Sequence, residues 1–472
     1  MATYEAQQKA GDVRVEDIYI ITSAGDVYDL SNLYMSIVLQ ESIYSPCMFG
    51  KIVVNDSTNF LTKAPIVGRE LITIKLRTPS FVDEPENIIY KTFAVYSVTD
   101  RVLSSDREQF FTIEFMSLEG MRDNVVRLTE KFMGSTDSIV EQIFTDYISE
   151  PRIVTPQKST EQDNKIYIND RPHNSNNFEF ISNHWSPIRC VNYIARNSVG
   201  NKYKMPNFMF YESNKGFYFT SITGLIDEQK ESKSLYDEYS YVTNLDESTE
   251  NSLKDNRKRG QYTYSSPFIS RKQLTVESIY YPTHFDQLKN QDSGYYGNTT
   301  FAYDYVNKDI YNIQFDYTPF QPERRSQRKN VLDVNFDSFR HITRNSPIFI
   351  GEELSDPLSK INFKAGASGL FGENDAFDIN QVSAVCFRNA ALAELEAVKY
   401  EIQVPGKTDI EVGRLIRFNY PDVGEKNSNP RQSELFDQFV SGIYIITGIR
   451  HDINREGHKM LMEITRDSLG DE

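Results

Sequence analysis

The sequence predicts a mainly β protein with α+β insertions, organised as two similar antiparallel β-barrel or β-sandwich domains plus peripheral domains. Three observations carry this: an aromatic, β-branched composition, a run of short turn-separated segments near the N-terminus, and an internal similarity between the two ends. The 472 residues include 30 Phe and 29 Tyr against a single Trp, Trp185. Such a composition favours pleated, half-buried strands. A chain of this length is large enough for several cores, about 100–200 residues to each.

The N-terminal segments come first. Asp17–Thr22, Leu33–Gln40, Lys51–Asn55, Glu70–Arg77, Ile88–Val98 and Gln109–Met116 read as strands, separated by turn material such as Ser23-Ala24-Gly25-Asp26 and Ser104-Ser105-Asp106. That spacing is expected of a compact antiparallel unit. The period then changes. Ser138-Ile139-Val140-Glu141 matches a capping box, and Ile139, Val140, Ile143, Phe144, Tyr147 and Ile148 fall on one helical face. Ser186-Pro187 opens a second helix, with Pro at the position where no backbone donor is needed, and its apolar face is Ile188, Val191, Ile194 and Ala195. A hairpin follows, Phe208–Tyr211 and Phe217–Ser221, joined by Ser213-Asn214-Lys215-Gly216.

Residues 227–260 are dominated by Asp, Glu, Lys, Ser and Asn, and read as a long polar excursion, flexible or ordered by a partner. Strand-like runs resume at Gln273–Tyr281 and Thr300–Phe315. Arg324, Arg325, Arg328 and Lys329 form a basic cluster, a phosphate contact or a solvated loop. The Gly-rich segment 360–375 contains Phe363, Leu370 and Phe371, which are either an exposed docking element or loop anchors. A helix is predicted over Asn380–Glu396, burying Val385, Leu392 and Leu395. The domain boundaries that follow are 1–15 for an N-terminal arm, 16–117 for a first β-domain and 118–225 for an α+β domain. Residues 226–378 form a peripheral insertion lending strands to a second β-domain, whose main part, with its helix, is 379–472.

The internal similarity is the most informative feature. Val67-Gly68-Arg69 in Pro65–Ile72 matches Val412-Gly413-Arg414 in Ile410–Ile416, each opening a strand that runs to a proline. Tyr96-Ser97-Val98-Thr99 then aligns with Tyr444-Ile445-Ile446-Thr447, Arg107-Glu108 with Arg455-Glu456, and Thr112-Ile113-Glu114-Phe115 with Leu461-Met462-Glu463-Ile464. The same order at both ends reads as a duplicated β-domain separated by an inserted middle. A chain with two similar units that assembles as a homotrimer presents six units around a ring, and so can join a threefold partner to a sixfold one.

Charge and motifs exclude other classes. With 67 Asp+Glu against 51 Lys+Arg the formal charge is −16, which argues against gripping nucleic acid. Cys47, Cys190 and Cys386 are scattered and odd in number, the pattern of core thiols in a reducing cytoplasm. No signal peptide and no membrane-spanning run is predicted. Carboxylates are abundant but no spacing isolates a hydrolytic pair. Gly366-Ala367-Ser368-Gly369 is not a nucleophile elbow, and His173, His184, His284, His341, His451 and His458 show no paired metal spacing. No catalytic, cofactor or metal residue is therefore assigned, and the protein is expected not to be an enzyme. The alternatives are a glycan-binding module, for which Tyr295, Tyr296, Tyr303, Tyr305, Tyr311 and Tyr317 would form the platform, or a polysaccharide-degrading enzyme.

Gln40-Glu41-Ser42-Ile43-Tyr44 followed by Gly50–Ser57 resembles the first β-domain of baseplate hub proteins from contractile-tailed bacteriophages. The resemblance continues through Asn192-Tyr193-Ile194-Ala195 and the hairpin after it, through Arg388-Asn389-Ala390-Ala391 to Gly413-Arg414-Leu415-Ile416, and closes in Gly442–Asp467. It spans residues 16 to 469 in patches, departing at 227–260, 295–320 and 360–375. It implies two tube-like β-domains per chain, a homotrimer at the tip of the tail tube, and a plan shared with the hub part of type VI secretion spikes. It further implies a central spike with an oligonucleotide/oligosaccharide-binding-type domain below, a tail tube or tube initiator above, baseplate wedge proteins around, and passage of DNA during genome ejection without specific binding. The location implied is the virion tail baseplate, assembled in the host cytoplasm. Thr112 and Glu114 in one unit, and Glu463 and Thr465 in the other, are the lumen-facing candidates, since alternate side chains share a strand face.

Overall fold

The computed structural model of the protein describes residues 7–64, 66–79, 87–105, 108–149, 165–169, 178–200, 202, 206–231, 236–241, 267–284, 287–294, 297–316, 360–366, 388–389, 391–393, 395–396, 398–422, 436–437 and 440–466. It is mainly β, with several sheets and interspersed helices.

The first half contains β1 (Arg14–Ile21), β2 (Val27–Asp29), β3 (Tyr34–Ser42), β4 (Phe49–Asp56), β5 (Leu71–Arg77), β6 (Ile88–Ser105) and β7 (Glu108–Ser117). All six N-terminal strand expectations fall on these elements. Their pairing order is β3-β4-β7-β6-β5-β1-β2, every pair antiparallel. Alternation along β7 sends Phe111, Ile113 and Phe115 into a core with Ile18, Ile37, Ile52, Ile72 and Phe93.

A middle unit follows. Helix α1 (Phe60–Lys63) lies within the first half, and α2 (Leu118–Val125) leads out of it. β8 (Lys131–Gly134) pairs with β10 (Phe178–Ile181), while β9 (Ile166–Asn169), β11 (Phe208–Ser213) and β12 (Gly216–Ser221) make a three-stranded sheet. Helix α3 (Thr136–Ile143) is capped by Ser135, whose Oγ accepts from the Ser138 N–H. The cap is therefore three residues earlier than the Ser138-x-x-Glu141 match suggests, because Ser138 is spent as the donor to it. Helix α4 (Pro187–Asn197) begins as predicted, with Ser186 as cap and Pro187 first. These elements share a core containing Ile139, Ile143, Val191, Phe208 and Phe219.

The second half is assembled from distant segments: β13 (Asp237–Tyr241), β14 (Thr275–Val276), β15 (Ser278–His284), β19 (Val398–Pro405), β20 (Leu415–Asn419), β21 (Gly442–Asn454) and β22 (Gly457–Arg466). The polar stretch 227–260 thus supplies a strand, β13, whose Tyr239 is fully buried. The helix α5 (Ile222–Glu231) adds Ile222, Leu225 and Ile226 to this core. A separate sheet contains β16 (Gly297–Asp304), β17 (Asp309–Asp316) and β18 (Ile361–Gly366). The predicted single run Thr300–Phe315 is therefore a hairpin. Of the helix predicted over 380–396, residues 388–389, 391–393 and 395 are helical, with Leu395 buried. Arg324, Arg325, Arg328, Lys329, Leu370, Phe371, Val385, Cys386, Tyr295, Tyr296 and Tyr317 lie outside the described residues. Cys47 and Cys190 are buried and free. Among the described residues no helix is long and apolar enough to cross a membrane, and no cluster of metal-ligating side chains occurs.

Candidate functional site

The two halves meet at one ladder. Along β21, Gly448 pairs with both Glu463 of β22 and Ser42 of β3, so β22 and β3 occupy opposite edges. Ile445 likewise pairs with Thr465 of β22 and Leu415 of β20. One edge of β21 is therefore shared, β20 covering its start and β3 its end, through Gly448–Asn454 against Ser36–Ser42. The sheet runs unbroken across the junction, and the cores interpenetrate: Ile453 of β21 packs in the first core and Ile43 in the second.

The junction is buried and polar. Glu41 of β3 is buried, one carboxylate oxygen accepting from the Asn214 N–H at 2.9 Å and the other lying 3.6 Å from His451 Nε2. His451 Nδ1 is 3.0 Å from His458 Nε2, both rings buried. Burial, then the neighbouring His451, hold His458 well below the ordinary imidazole range. The turn between β11 and β12 wedges in here. Asn214 donates to the Ile410 carbonyl, Ser213 to Glu411, and the Ser213 carbonyl accepts from Lys91 of β6 at 2.7 Å. Beside it the buried Lys91 pairs with Glu212 at 2.7 Å, and Glu212 accepts from the Met48 N–H and the Ser117 hydroxyl. One hairpin of the middle unit thus touches both halves, a role that its turn residues alone did not reveal.

The two halves carry the same ladder. In the first, β3-β4-β7-β6-β5 are consecutive neighbours; in the second, β15-β19-β22-β21-β20 are, all antiparallel and in the same chain order. The similarity ends at the sixth place, where β1 is antiparallel to β5 but β13 is parallel to β20. Glu114 faces Lys51 and Glu463 faces Glu401, at matching positions. Each long strand has a bulge at that point: Tyr96 is extra between Val95 and Ser97, and Thr447 between Ile446 and Gly448. The ladder thus sets Tyr96 against Thr447, three residues from the alignment by residue type, because Tyr444 belongs to the part of β21 that pairs with β20.

Gly68 and Gly413 both stand at positive φ, 85° and 82°, ahead of strands β5 and β20. The carbonyls of Glu70 and Arg414 accept from the Val95 and Ile446 N–H groups, at equivalent places once Arg69 is counted as an insertion. Their surroundings differ. Val67 and Arg69 are exposed, whereas Val412 is buried and Gly413 lies under Tyr211 and Leu225 of the middle unit. Arg414 donates to the Asp409 carbonyl.

Glu114 and Glu463 are half-buried on the sheet face opposite the cores. The hydroxyl of Tyr96 bonds Glu114, and burial together with that carboxylate pushes its phenol up. Glu463 accepts from Thr447 at 2.7 Å and pairs with Lys399 at 2.6 Å. Thr112 is 6% exposed and Thr465 fully buried, so the polar surface on this face comes from the glutamates and their basic neighbours. Arg450 and Asp452 pair on the same face. Acidic and basic groups are locally matched here.

No family model matches the sequence, and no curated protein matches it. Solved structures do. The tail protein of Neisseria meningitidis MC58 is 9% identical over 96% of this chain and 97% of its own, with a TM-score of 0.49. A 43 kDa tail protein of prophage MuSo2 from Shewanella oneidensis is 11% identical over 96% and 98%, TM-score 0.48. An E. coli component of the type VI secretion system is 8% identical over 98% and 77%, TM-score 0.38. These neighbours are thus tail proteins and a component of a type VI secretion system.

His184 is exposed in a left-handed turn, while Trp185 packs edge-on against Tyr193 with Arg189 over its ring. Arg388, in the segment of the hub resemblance, donates to the Pro206 and Phe208 carbonyls, and burial lowers it to about 10.

Proposed function

We propose that the chain is a structural baseplate hub of a contractile tail: a homotrimer that joins a threefold central spike to a sixfold tail tube and surrounds the DNA channel, without turnover. The observation that carries this is the repeated five-strand ladder within one chain, fused through β21 and β3. A chain holding two such units turns threefold symmetry into a ring of six. The spike contact would use an OB-type domain of the partner, the opposite rim a tube or tube-initiator protein, and the periphery the wedge. The proposed location is the virion baseplate after assembly in the host cytoplasm. In this reading Glu114 and Glu463 belong to the channel wall, and the duplicated Val67-Gly68-Arg69 and Val412-Gly413-Arg414 turns start equivalent strands. Because the wall carries locally paired charges, DNA meets a nearly neutral surface with no cationic row to hold phosphates.

The test is the solution mass by light scattering, alone and with a trimeric tail spike. A mass near three times 54.6 kDa that rises with the spike is the expected result; a monomer that ignores the spike sinks the proposal.

A second reading is favoured by the sheet β16–β18, whose one face shows Tyr303 (43% exposed), Phe363 (82%) and Ile310 (69%). Such a face suits a glycan-binding module, for which quenching of tyrosine fluorescence by surface polysaccharide is the check.

A further inference from the structure

The internal junction has a counterpart that the chain cannot complete by itself. β21 continues past β20, and the edge thus left is covered by β3. Its equivalent, β6, continues past β5 in the same way, but among the described residues no strand lies along the edge of Ser97–Leu103 opposite β7. The equivalent of β3 is β15, which pairs with β19 on one edge and, among the described residues, with no strand on the other. One half offers a vacant edge and the other the strand type that fills it.

The register agrees in an unforced detail. Across the internal junction Gln40 pairs with Arg450 and Val38 with Asp452, one residue lying between on each side. Carried through the ladder, these positions become Thr283 against Thr99 and Tyr280 against Val102, with Ile279 against Leu103 next. Between them β6 has two residues, Asp100 and Arg101, and β15 also has two, Tyr281 and Pro282: each strand bears one extra residue at the same rung. Asp100 sits at φ 53°, and Pro282, which has no N–H to give, falls in the same irregular place. Both edges expose apolar side chains, Val102 59%, Leu103 76% and Tyr280 63% exposed.

We propose that β6 of one copy and β15 of the next form an antiparallel intermolecular ladder, so that a second copy of this chain is the occupant of both edges. The contact is head-to-tail, and it closes a ring in which internal β21–β3 and external β6–β15 junctions alternate. This rests on the trimeric reading and names its interface.

Mixing a Leu103→Cys chain with an Ile279→Cys chain, both in a Cys386→Ser background, tests it. Oxidation is expected to give a covalent two-chain species from the mixture and none from either variant alone. Val102→Lys with Leu103→Lys is expected to lower the mass to that of a monomer with an unchanged far-ultraviolet circular dichroism spectrum. A wild-type trimer that neither cross-links nor responds to the lysines overturns the edge contact while leaving the adaptor reading intact. A wild-type monomer overturns both.

Discussion

At the scale of single residues, two glycines occupy equivalent backbone sites in unequal surroundings. Both Gly68 and Gly413 hold left-handed conformations that cost an L-residue about 1–2 kcal/mol. A Cβ at Gly68 would meet nothing closer than the Tyr96 carbonyl oxygen at 3.6 Å, whereas at Gly413 it would stand 2.6 Å from the Tyr211 hydroxyl and 2.9 Å from Leu225. Gly68→Ala should therefore cost only the backbone strain, and Gly413→Ala about 1–3 kcal/mol more for overpacking. Urea unfolding of the two variants measures the gap, and equal losses would contradict it. His458 gives a pH signature. It is neutral in the fold and held below its ordinary value, about 6.5. The unfolded chain therefore binds the extra proton, so stability is complete above about pH 6.5 and falls below it, by up to about 1.4 kcal/mol per pH unit. His458→Phe should flatten that slope in pH-dependent melts.

At the scale of elements, the hairpin β11–β12 ties the middle unit to the first half through a charge pair that water scarcely reaches. Side chains of Lys91 and Glu212 are 5% and 3% exposed. Glu212→Ala strands the ammonium and should cost about 3–5 kcal/mol, while Lys91→Met with Glu212→Leu should recover only part of it: an apolar pair needs no solvation, but the Met48 N–H and Ser117 hydroxyl lose the carboxylate and the Ser213 carbonyl loses the ammonium. Denaturant midpoints of the single and double variants decide this; a double variant as weak as the single would mean the pair itself stabilises. Much of this architecture was legible in sequence. Alternation marked β1 and β3 to β7 but not the three-residue β2, and Ser186-Pro187 marked α4, because each depends on neighbouring residues only. What escaped depends on partners far along the chain. β13 hides in a polar run because its flanks are hydrophilic and Tyr239 is its one fully buried apolar side chain, with Tyr241 only partly buried against the core. The offset of Tyr96 against Thr447 follows from bulges, which shift pairing without changing residue type. The buried Lys91, Glu212 and Glu41 sit within β-patterned or turn segments that say nothing of the hairpin closing over them.

At the scale of the whole molecule, the net charge of −16 and the charge of the proposed channel wall are separate quantities. Repulsion by a strongly acidic lumen is the simplest reading of the composition, yet the face carrying Glu114 and Glu463 also carries Lys51, Lys399 and Arg450, in pairs or opposite positions. A wall of matched charges does not need to repel DNA to release it; it needs only to lack an uncompensated cationic row, since phosphate binding grows with each counterion displaced. Removing the acidic partners creates such a row. Glu114→Lys combined with Glu463→Gln leaves Lys51 and Lys399 without their local compensation and adds a third cation beside them, with the cores behind them untouched because these side chains lie on the opposite face. The assembled variant should retain duplex DNA in a low-salt filter-binding assay where the wild type does not, and the retention should fall steeply as salt rises from about 50 to 200 mM. Retention that ignores salt, or a variant trimer that still releases DNA at low salt, would remove these two glutamates from the channel wall.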